Sequence, residues 1–597
     1  MFPQFTPVQY AKKKGYPQLH IRFSSAYLAL FVYSHSKNDR LLRKWLNSWK
    51  AMLSLLTDFL QMIKRFSQPF RRIAVVTTLF CCYLNTLTAQ SDYQPYSYAF
   101  YQKLNNVLYH TDTKFHTSIK PIRMDGALRK RHDELMNNGV VERRSWGARK
   151  LYNEHLVTVE GDEYSFYADF LPDFQLGRDF AGGGRTLWLN TRGAQAGFTV
   201  EDRFVAYVNF FENQAVFPGY LDDYIFTHTV TPGQGYGKTL QSNRQMKDWM
   251  YGSANLSYTV NTHLTVTLAY DKHFVGDGYR SVLLSDVSSN YSALKLTGEW
   301  GNVQYMSLWS YMLDPMHPRS LDSAARAGDN WKWGSFQYVD WNVNNRFSVG
   351  LFQSLVWGNP KAAGRRSSDF NSYHPTVIQR PGELINTPSD SRIRIGLNSK
   401  YKVLKNMAAY GQFLLDGLSG KNWAAQAGLR GFDLFGIEHL NFLVEYNTAA
   451  PYTYAESDPV DNYSNYGQPL AHPWGANFRE LVGMLNYSYQ RFDLSFQSNW
   501  GQFGTDPDPF TSVGGDIFQR YPSAREDLGG RIGQGVRNNL LYADGRIGYL
   551  LNPTYNLRIE AGAVYRRHGI PAEGKHHQTG MLTLGIRSSF RNLYYDF

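Results

Sequence analysis

From about residue 160 onward, apolar and polar side chains alternate one by one along most of the chain. Leu256, Tyr258 and Val260 alternate with Ser257 and Thr259; past Asn261-Thr262, Leu264, Val266, Leu268 and Tyr270 alternate with Thr265, Thr267 and Ala269. The pattern recurs in Phe492, Leu494 and Phe496 against Asp493, Ser495 and Gln497, and in Leu557, Ile559 and Ala561 against Arg558, Glu560 and Gly562. Period two places successive side chains on opposite faces of a strand with one face buried. No window carries a long helical apolar stripe, so the chain reads as all-β.

Soluble sandwiches alternate too, and loop lengths separate the two cases. Strands are expected near 161–171, 185–200, 203–212, 250–260, 263–272, 291–299, 303–311, 333–341, 345–356, 391–403, 407–416, 422–434, 438–447, 479–489, 492–501, 538–550, 555–566 and 579–597. Every second connection is a tight turn, and most of those between, such as 213–249, 357–390, 448–478 and 502–537, are long. Segregation of loop length by parity is the pattern of outer-membrane barrels, and an even strand count closes with both strand termini in the periplasm. Ile393, Ile395 and Leu397 are expected to face lipid with Arg392, Arg394 and Asn398 inward; Leu582, Leu584 and Ile586 oppose Thr583, Gly585 and Arg587 in the same way. A charge on the lipid side would cost about 2–4 kcal/mol at the midplane. The expected fold is a transmembrane antiparallel β-barrel of about 18 strands over 161–597, with a small, partly helical periplasmic segment or plug at 90–160.

Charge supports this division. The chain carries 62 Lys+Arg against 50 Asp+Glu, but residues 1–89 hold 13 basic and 2 acidic residues, which leaves the remainder at a net of +1. The excess belongs to the leader, and no nucleic-acid partner follows from it. Met62, the basic Lys64, Arg65, Arg71 and Arg72, the apolar run Ile73–Leu84 and the small Ala89 form a cleavable signal peptide over 62–89. Residues 1–61 are read as an upstream extension that precedes the true start. Cys81 and Cys82 are the only cysteines, so cleavage would leave no disulfide or Cys-based metal site.

Two further segments stand out at the ends of the mature region. Tyr96–Tyr109 and Asp125–Asn138 read as helical stretches, with Asp125 as an N-cap. At the other end Leu593, Tyr595 and Phe597 share one face, so residues 579–597 are expected as a final strand read by the barrel-assembly machinery.

The densest motif runs from Lys272 to Asp286 and contains Gly276-Asp277-Gly278, Arg280, Ser281 and Ser285. A phosphate cradle would need a helix after the glycines, and none follows. This motif, with Arg192-Gly193, Glu212-Asn213-Gln214, Pro232-Gly233-Gln234-Gly235, the run Tyr466–Gly475 and the Tyr-Tyr-Asp-Phe ending, resembles the Wzi-type capsule-assembly outer-membrane proteins, in particular their gliding-motility RemB-like relatives. It departs from the enterobacterial pattern in lacking a Trp pair before Gly276 and in a gap to Ser281 one residue shorter. The resemblance implies an eighteen-stranded barrel with a small periplasmic helical part, which binds surface polysaccharide and helps organise it. A monomer with outer-membrane lipid and surface polysaccharide as partners, and with no enzymatic activity or cofactor, is expected.

Aromatic faces beside carboxylates and amides suit sugar binding. The loop 448–478 offers Tyr463, Tyr466, His472, Trp474 and Asp461 as the polysaccharide ligands, beside Tyr452, Tyr454 and Asp458. Weaker constellations read as structural: Asp506, Asp508 and Asp516 as a turn rather than a Ca²⁺ site, His116 and Ser118 as no lipase pair, His576-His577 as a loop, and the inward Glu445 and Glu560 as lumen charges rather than a glycosidase pair. The competing function is a porin or transporter for small polar solutes.

Overall fold

The computed structural model describes residues 93–597 except 125, 138–142, 182–183, 202, 241–242, 316–329, 359–392, 418–419 and 520–529. The leader and upstream segment, Asp125 and Arg392 thus lie outside the described residues. Each stretch of alternation forms a strand: β1 Tyr164–Asp179, β2 Thr186–Val200, β3 Phe204–Val216, β4 Asn243–Asn261, β5 Leu264–Asp271, β6 Tyr291–Trp300, β7 Val303–Asp314, β8 Asn330–Asn342 and β9 Phe347–Gly358. The second half supplies β10 Arg394–Leu404, β11 Met407–Asp416, β12 Trp423–Gly431, β13 Leu440–Ala449, β14 Phe478–Tyr489, β15 Phe492–Thr505, β16 Val536–Asn552, β17 Leu557–Ile570 and β18 Lys575–Arg587. Neighbours pair antiparallel throughout, and β18 closes on β1 from Met581↔Asp179 to Ile586↔Phe174. The barrel of eighteen strands is therefore as the alternation predicts.

The two faces sort as lipid outside and polar lumen inside require. Leu397 is exposed on the outer wall, whereas Arg394 and Asn398 are buried within. Leu582, Leu584 and Ile586 face out, and Arg587 turns in to Asp173 at 3.1 Å and Glu560 at 3.1 Å. Several strands outrun their expected bounds at the end away from the tight turns. Two connections there, 180–185 and 571–574, are consequently short, as is 417–422, where a short link is expected.

The last ten residues depart from expectation. The eighteenth strand stops at Arg587, and 588–597 leave the wall to run inside the barrel. Two features account for this. Ser589 takes a positive φ of 83°, which breaks the extended path. Farther along β1, the edge that β18 would follow is occupied by the short strand Val157–Glu160, paired with Ser165–Ala168. A final strand ending at Phe597 has no partner there.

The segment before the barrel contains α1 (Tyr98–Tyr101), α2 (Asn105–Leu108), α3 (Gly126–Met136) and α4 (Trp146–Tyr152). Phe100, Leu104, Leu108, Tyr109, Met124 and Leu128 form one apolar cluster with Ala408 and Phe432 of the wall and Phe590 of the tail. Lys103 pairs with Asp493 at 2.7 Å, at the tight-turn end of β15. Residues 93–124 thus fill the lumen at the tight-turn end, which is periplasmic in barrels of this type. Among the described residues no helix is long and apolar enough to cross a membrane.

Candidate functional site

The connection 272–290 after β5 folds down into the lumen, and Phe274–Arg280 lie buried there. Its two-residue strand Phe274–Val275 pairs with Ile119–Lys120 of the N-terminal segment. The glycines allow the close approach. A Cβ on Gly276, whose φ is +146°, would meet Gln412 Nε2 at 2.3 Å; one on Gly278 would meet Glu445 Oε2 at 2.2 Å. Between them Asp277 accepts hydrogen bonds from Tyr109 (2.9 Å), Ser118 (3.1 Å) and Thr117, with Asn398 at 3.4 Å. Burial alone would raise this carboxyl. The cations Lys400 and Lys120, with the Thr117 hydroxyl, overcome that and hold it well below the usual range.

Glu445 on β13 takes the next two backbone amides, Tyr279 N at 2.8 Å and Arg280 N at 3.0 Å, together with the Tyr410 hydroxyl at 2.7 Å. The Arg280 guanidinium, 1% exposed, donates to Glu480 at 3.1 Å and to Asp596 of the tail at 2.8 Å. Glu480 also meets His472 at 2.7 Å, and Asn499 bonds both carboxylates at 3.1 and 2.9 Å. Such a buried charge cluster survives desolvation only because every carboxylate has several donors. Ser281 Oγ donates to Val275 O at 2.6 Å and accepts from Leu283 N at 3.1 Å, closing the turn, while Ser285 N bonds Leu470 O at 2.7 Å.

The tail threads upward along this cluster. Tyr98 N bonds Asn592 Oδ1 at 2.8 Å; Asn592 and Tyr594 both donate to Asp286 at 2.7 Å. On either side of Asp596, Tyr595 packs against Phe217 and Phe597 against Tyr224, the latter on α5 (Gly219–His228) in the outer loop. Four segments far apart in sequence are therefore locked in one lumen: residues 93–124, 272–290, 450–477 and 588–597.

The motif residues Gly276, Gly278, Arg280, Ser281 and Ser285 come together as that lock. The loop residues are placed differently from one another. Tyr463 is buried, stacks on Tyr454 at 5.6 Å and donates to Leu283 O at 2.6 Å. His472 is buried against Phe478, and Asp461 accepts from Gly358 N at 2.5 Å. Tyr466 and Trp474 keep part of their surface open. Burial pulls the His472 imidazole below its usual range, against the pull of Glu480. Glu480, Asn499 and Asp596, central to the cluster, carry no local motif in the sequence; the Tyr-Tyr-Asp-Phe ending was the one available signal for Asp596.

The remaining constellations are engaged in local structure. His116 pairs with Asp340 at 2.6 Å while Ser118 serves Asp277. Asp506, Asp508 and Asp516 each accept a backbone N–H within their own turns, from Val513, Phe510 and Phe518. His576 and His577 lie on β18 opposite Gly569 and His568 rather than in a loop, because β18 begins at Lys575. Glu560 is held by Arg546, Arg558 and Arg587 at 2.8–3.1 Å. Among the described residues no group of three His, Cys, Asp or Glu is placed to hold a metal ion.

No family model matches the chain, and no curated protein matches it in sequence. Among solved structures it is similar to Wzi of Escherichia coli, described as an outer-membrane protein involved in group 1 capsule assembly and a carbohydrate-binding β-barrel. The identity is 12% and the TM-score 0.50, over 84% of this chain and 99% of that one. The outer membrane protein OprD of Pseudomonas aeruginosa matches at 10% identity and TM-score 0.35, over 74% and 99%. OccK2 (OpdF) of Pseudomonas aeruginosa, solved in complex with glucuronate, matches at 10% and 0.38, over 71% and 98%. With its closed eighteen-stranded wall, apolar outside and polar within, the chain is an outer-membrane β-barrel.

Proposed function

We propose that this barrel binds and organises cell-surface polysaccharide at its outer loops, without catalysing a reaction. The observation that carries the reading is the locked lumen. Loop 272–290, the N-terminal segment and the tail fill it through buried hydrogen bonds and ion pairs, an arrangement that favours a surface platform over a conduit. The carbohydrate-binding description of Wzi supports the same reading. In this view Tyr463, His472 and Asp461 set the shape of loop 450–477 from inside, and Tyr466 and Trp474 present ring surface to the glycan. Exposed Phe226, Tyr236 and Phe510 on neighbouring outer segments add aromatic faces. Capsule assembly and RemB-like gliding or adhesion are two uses of one such surface, separated by comparing surface glycan with motility in a deletion strain.

The test is a glycan pull-down with the purified barrel against polysaccharide from its own cell surface. Capture that weakens in Tyr466→Ala and Trp474→Ala variants is expected; no capture, with normal surface glycan in the deletion strain, would sink the proposal. Transport of small polar solutes is the second reading, favoured by a polar cavity of about 110 Å³ near the periplasmic end, lined by His116, Thr265, Lys295 and Glu299 among others. Single-channel recording separates the two, since a steady conductance from the intact barrel favours transport.

A further inference from the structure

The outer rim of the wall carries a basic cleft that the glycan reading does not use. It has a volume of about 930 Å³ and is lined by Lys421, Trp423, Arg479, Gln502, Arg531 and Arg537 among others, with no carboxylate side chain among the described residues of its lining. Inside the lumen Arg280, Arg394, Arg546 and Arg587 each pair with carboxylates. Among the described residues Arg479, Arg531 and Arg537 have no such partner.

Register fixes which way the cleft faces. Arg479 stands between Phe478 and Glu480, both buried inside, so it points out of the barrel. Arg479 pairs across with Gln502 and Gln502 with Asn539; Arg537 lies two residues farther toward the rim on the same face. The next outward row toward the periplasm is Leu481, Trp500 and Leu541, cross-strand neighbours and all exposed. Depth follows from geometry. From Arg479 to the other end of its strand is ten residues, about 33 Å of chain at a rise of about 3.3 Å. At a tilt of about 40° this spans about 25 Å of height, the height of the apolar band of such barrels. Arg479 and Arg537 therefore lie at the outer edge of the hydrocarbon, above a row of apolar side chains, and Arg531 lines the same cleft from the adjoining loop.

We infer that this cleft binds the phosphorylated sugar headgroup of an outer-leaflet glycolipid, with its acyl chains lying over Leu481, Trp500 and Leu541. Guanidinium groups match phosphate oxygens with paired hydrogen bonds. A ligand lying in the bilayer is the one that reaches cations on the outside wall, whereas a soluble glycan meets the loops first. The inference stands apart from the polysaccharide reading and survives or fails without it.

The test uses the intact barrel in detergent with hexa-acyl, bis-phosphorylated lipid A as the probe, followed by native mass spectrometry. The wild type is expected to retain lipid A and to bind its bis-dephosphorylated form at least tenfold more weakly. The triple variant R479Q/R531Q/R537Q is expected to bind both forms equally weakly while keeping heat-modifiable migration as a folded barrel. Should the triple variant not fold, R537Q alone is expected to weaken retention and to lower its salt dependence. Equal binding of the two lipid forms by the wild type overturns the inference, as does undiminished retention by the variants. Displacement of lipid A by millimolar inorganic phosphate would show a bare anion site, and displacement by free polygalacturonate an acidic-glycan site; either result also overturns it.

Discussion

Replacing Arg280 by methionine keeps most of the side-chain volume and deletes the charge on which the lumen lock converges. The variant leaves Glu480 and Asp596 buried and facing each other's environment with only His472, Tyr279, Gln497 and the asparagines as donors. Breaking one side of a buried ion pair costs about 3–5 kcal/mol, because a charge is left uncompensated. At 1.36 kcal/mol per decade this raises the opening equilibrium of the lock by about two to almost four orders of magnitude. The wall hydrogen bonds are untouched, so the cost falls on 272–290 and 588–597. Amide exchange by mass spectrometry on the folded barrel reads this directly. Exchange in those two segments is expected to accelerate a hundredfold or more, with the wall strands unchanged. Unaltered protection of 588–597 in a heat-modifiable R280M barrel would refute the reasoning. If R280M does not assemble, Asp596→Asn gives the same test at a smaller amplitude, about 1.5–3 kcal/mol for a hydrogen bond to a charged group.

Other outcomes follow from the same geometry. Gly278→Ala puts a methyl group 2.2 Å from Glu445 Oε2 and 2.8 Å from Arg280 O, so about 1–3 kcal/mol of overpacking should appear as faster exchange in 272–290. Asp277 is ionised in the folded lock at pH values where an unfolded carboxyl, with a pKa of about 4, takes up a proton. Its stabilisation is therefore full above about pH 4 and drains as pH falls below that; exchange in 272–290 should rise between about pH 4 and 2, and less steeply in Asp277→Asn. Leu584→Arg places a charge on an outward-facing, exposed position of the wall and should cost up to about 2–4 kcal/mol, measured by urea titration of folding into vesicles. The isosteric swap Leu584→Met is expected to be nearly neutral in that titration.

The wall was legible because one physical demand repeats along it. Lipid on one side and polar groups on the other imprint period two on every strand, and Leu397 with Arg394 shows it as plainly as Leu582 with Arg587. The lock was legible only as a dense motif. Nothing near Gly278 in the sequence announces that its Cβ would strike Glu445, because the constraint comes from a strand more than 160 residues away. The tail misled for a related reason: Leu593, Tyr595 and Phe597 alternate as a strand would, and whether a strand forms depends on an edge that Val157–Glu160 already fills. Tyr463 and His472 show the same ambiguity in aromatic loops. A phenol or imidazole with one polar tip serves a sugar or a packed interior equally well, and burial decides between them.

The seam where β18 meets β1 is held by six residue pairs, fewer than the thirteen that join β17 to β18. Through it, the last strand and the first meet around a cord that lies inside, where Phe590 packs on Phe100 and Asn592 accepts from Tyr98 N, residues from the segment that precedes the first strand. The stopper is thus tied together by the segments that flank the eighteen strands. A chain interrupted before residue 588 would still carry all eighteen staves and most of its bung, yet would lose the cord that ties the pieces of that bung together.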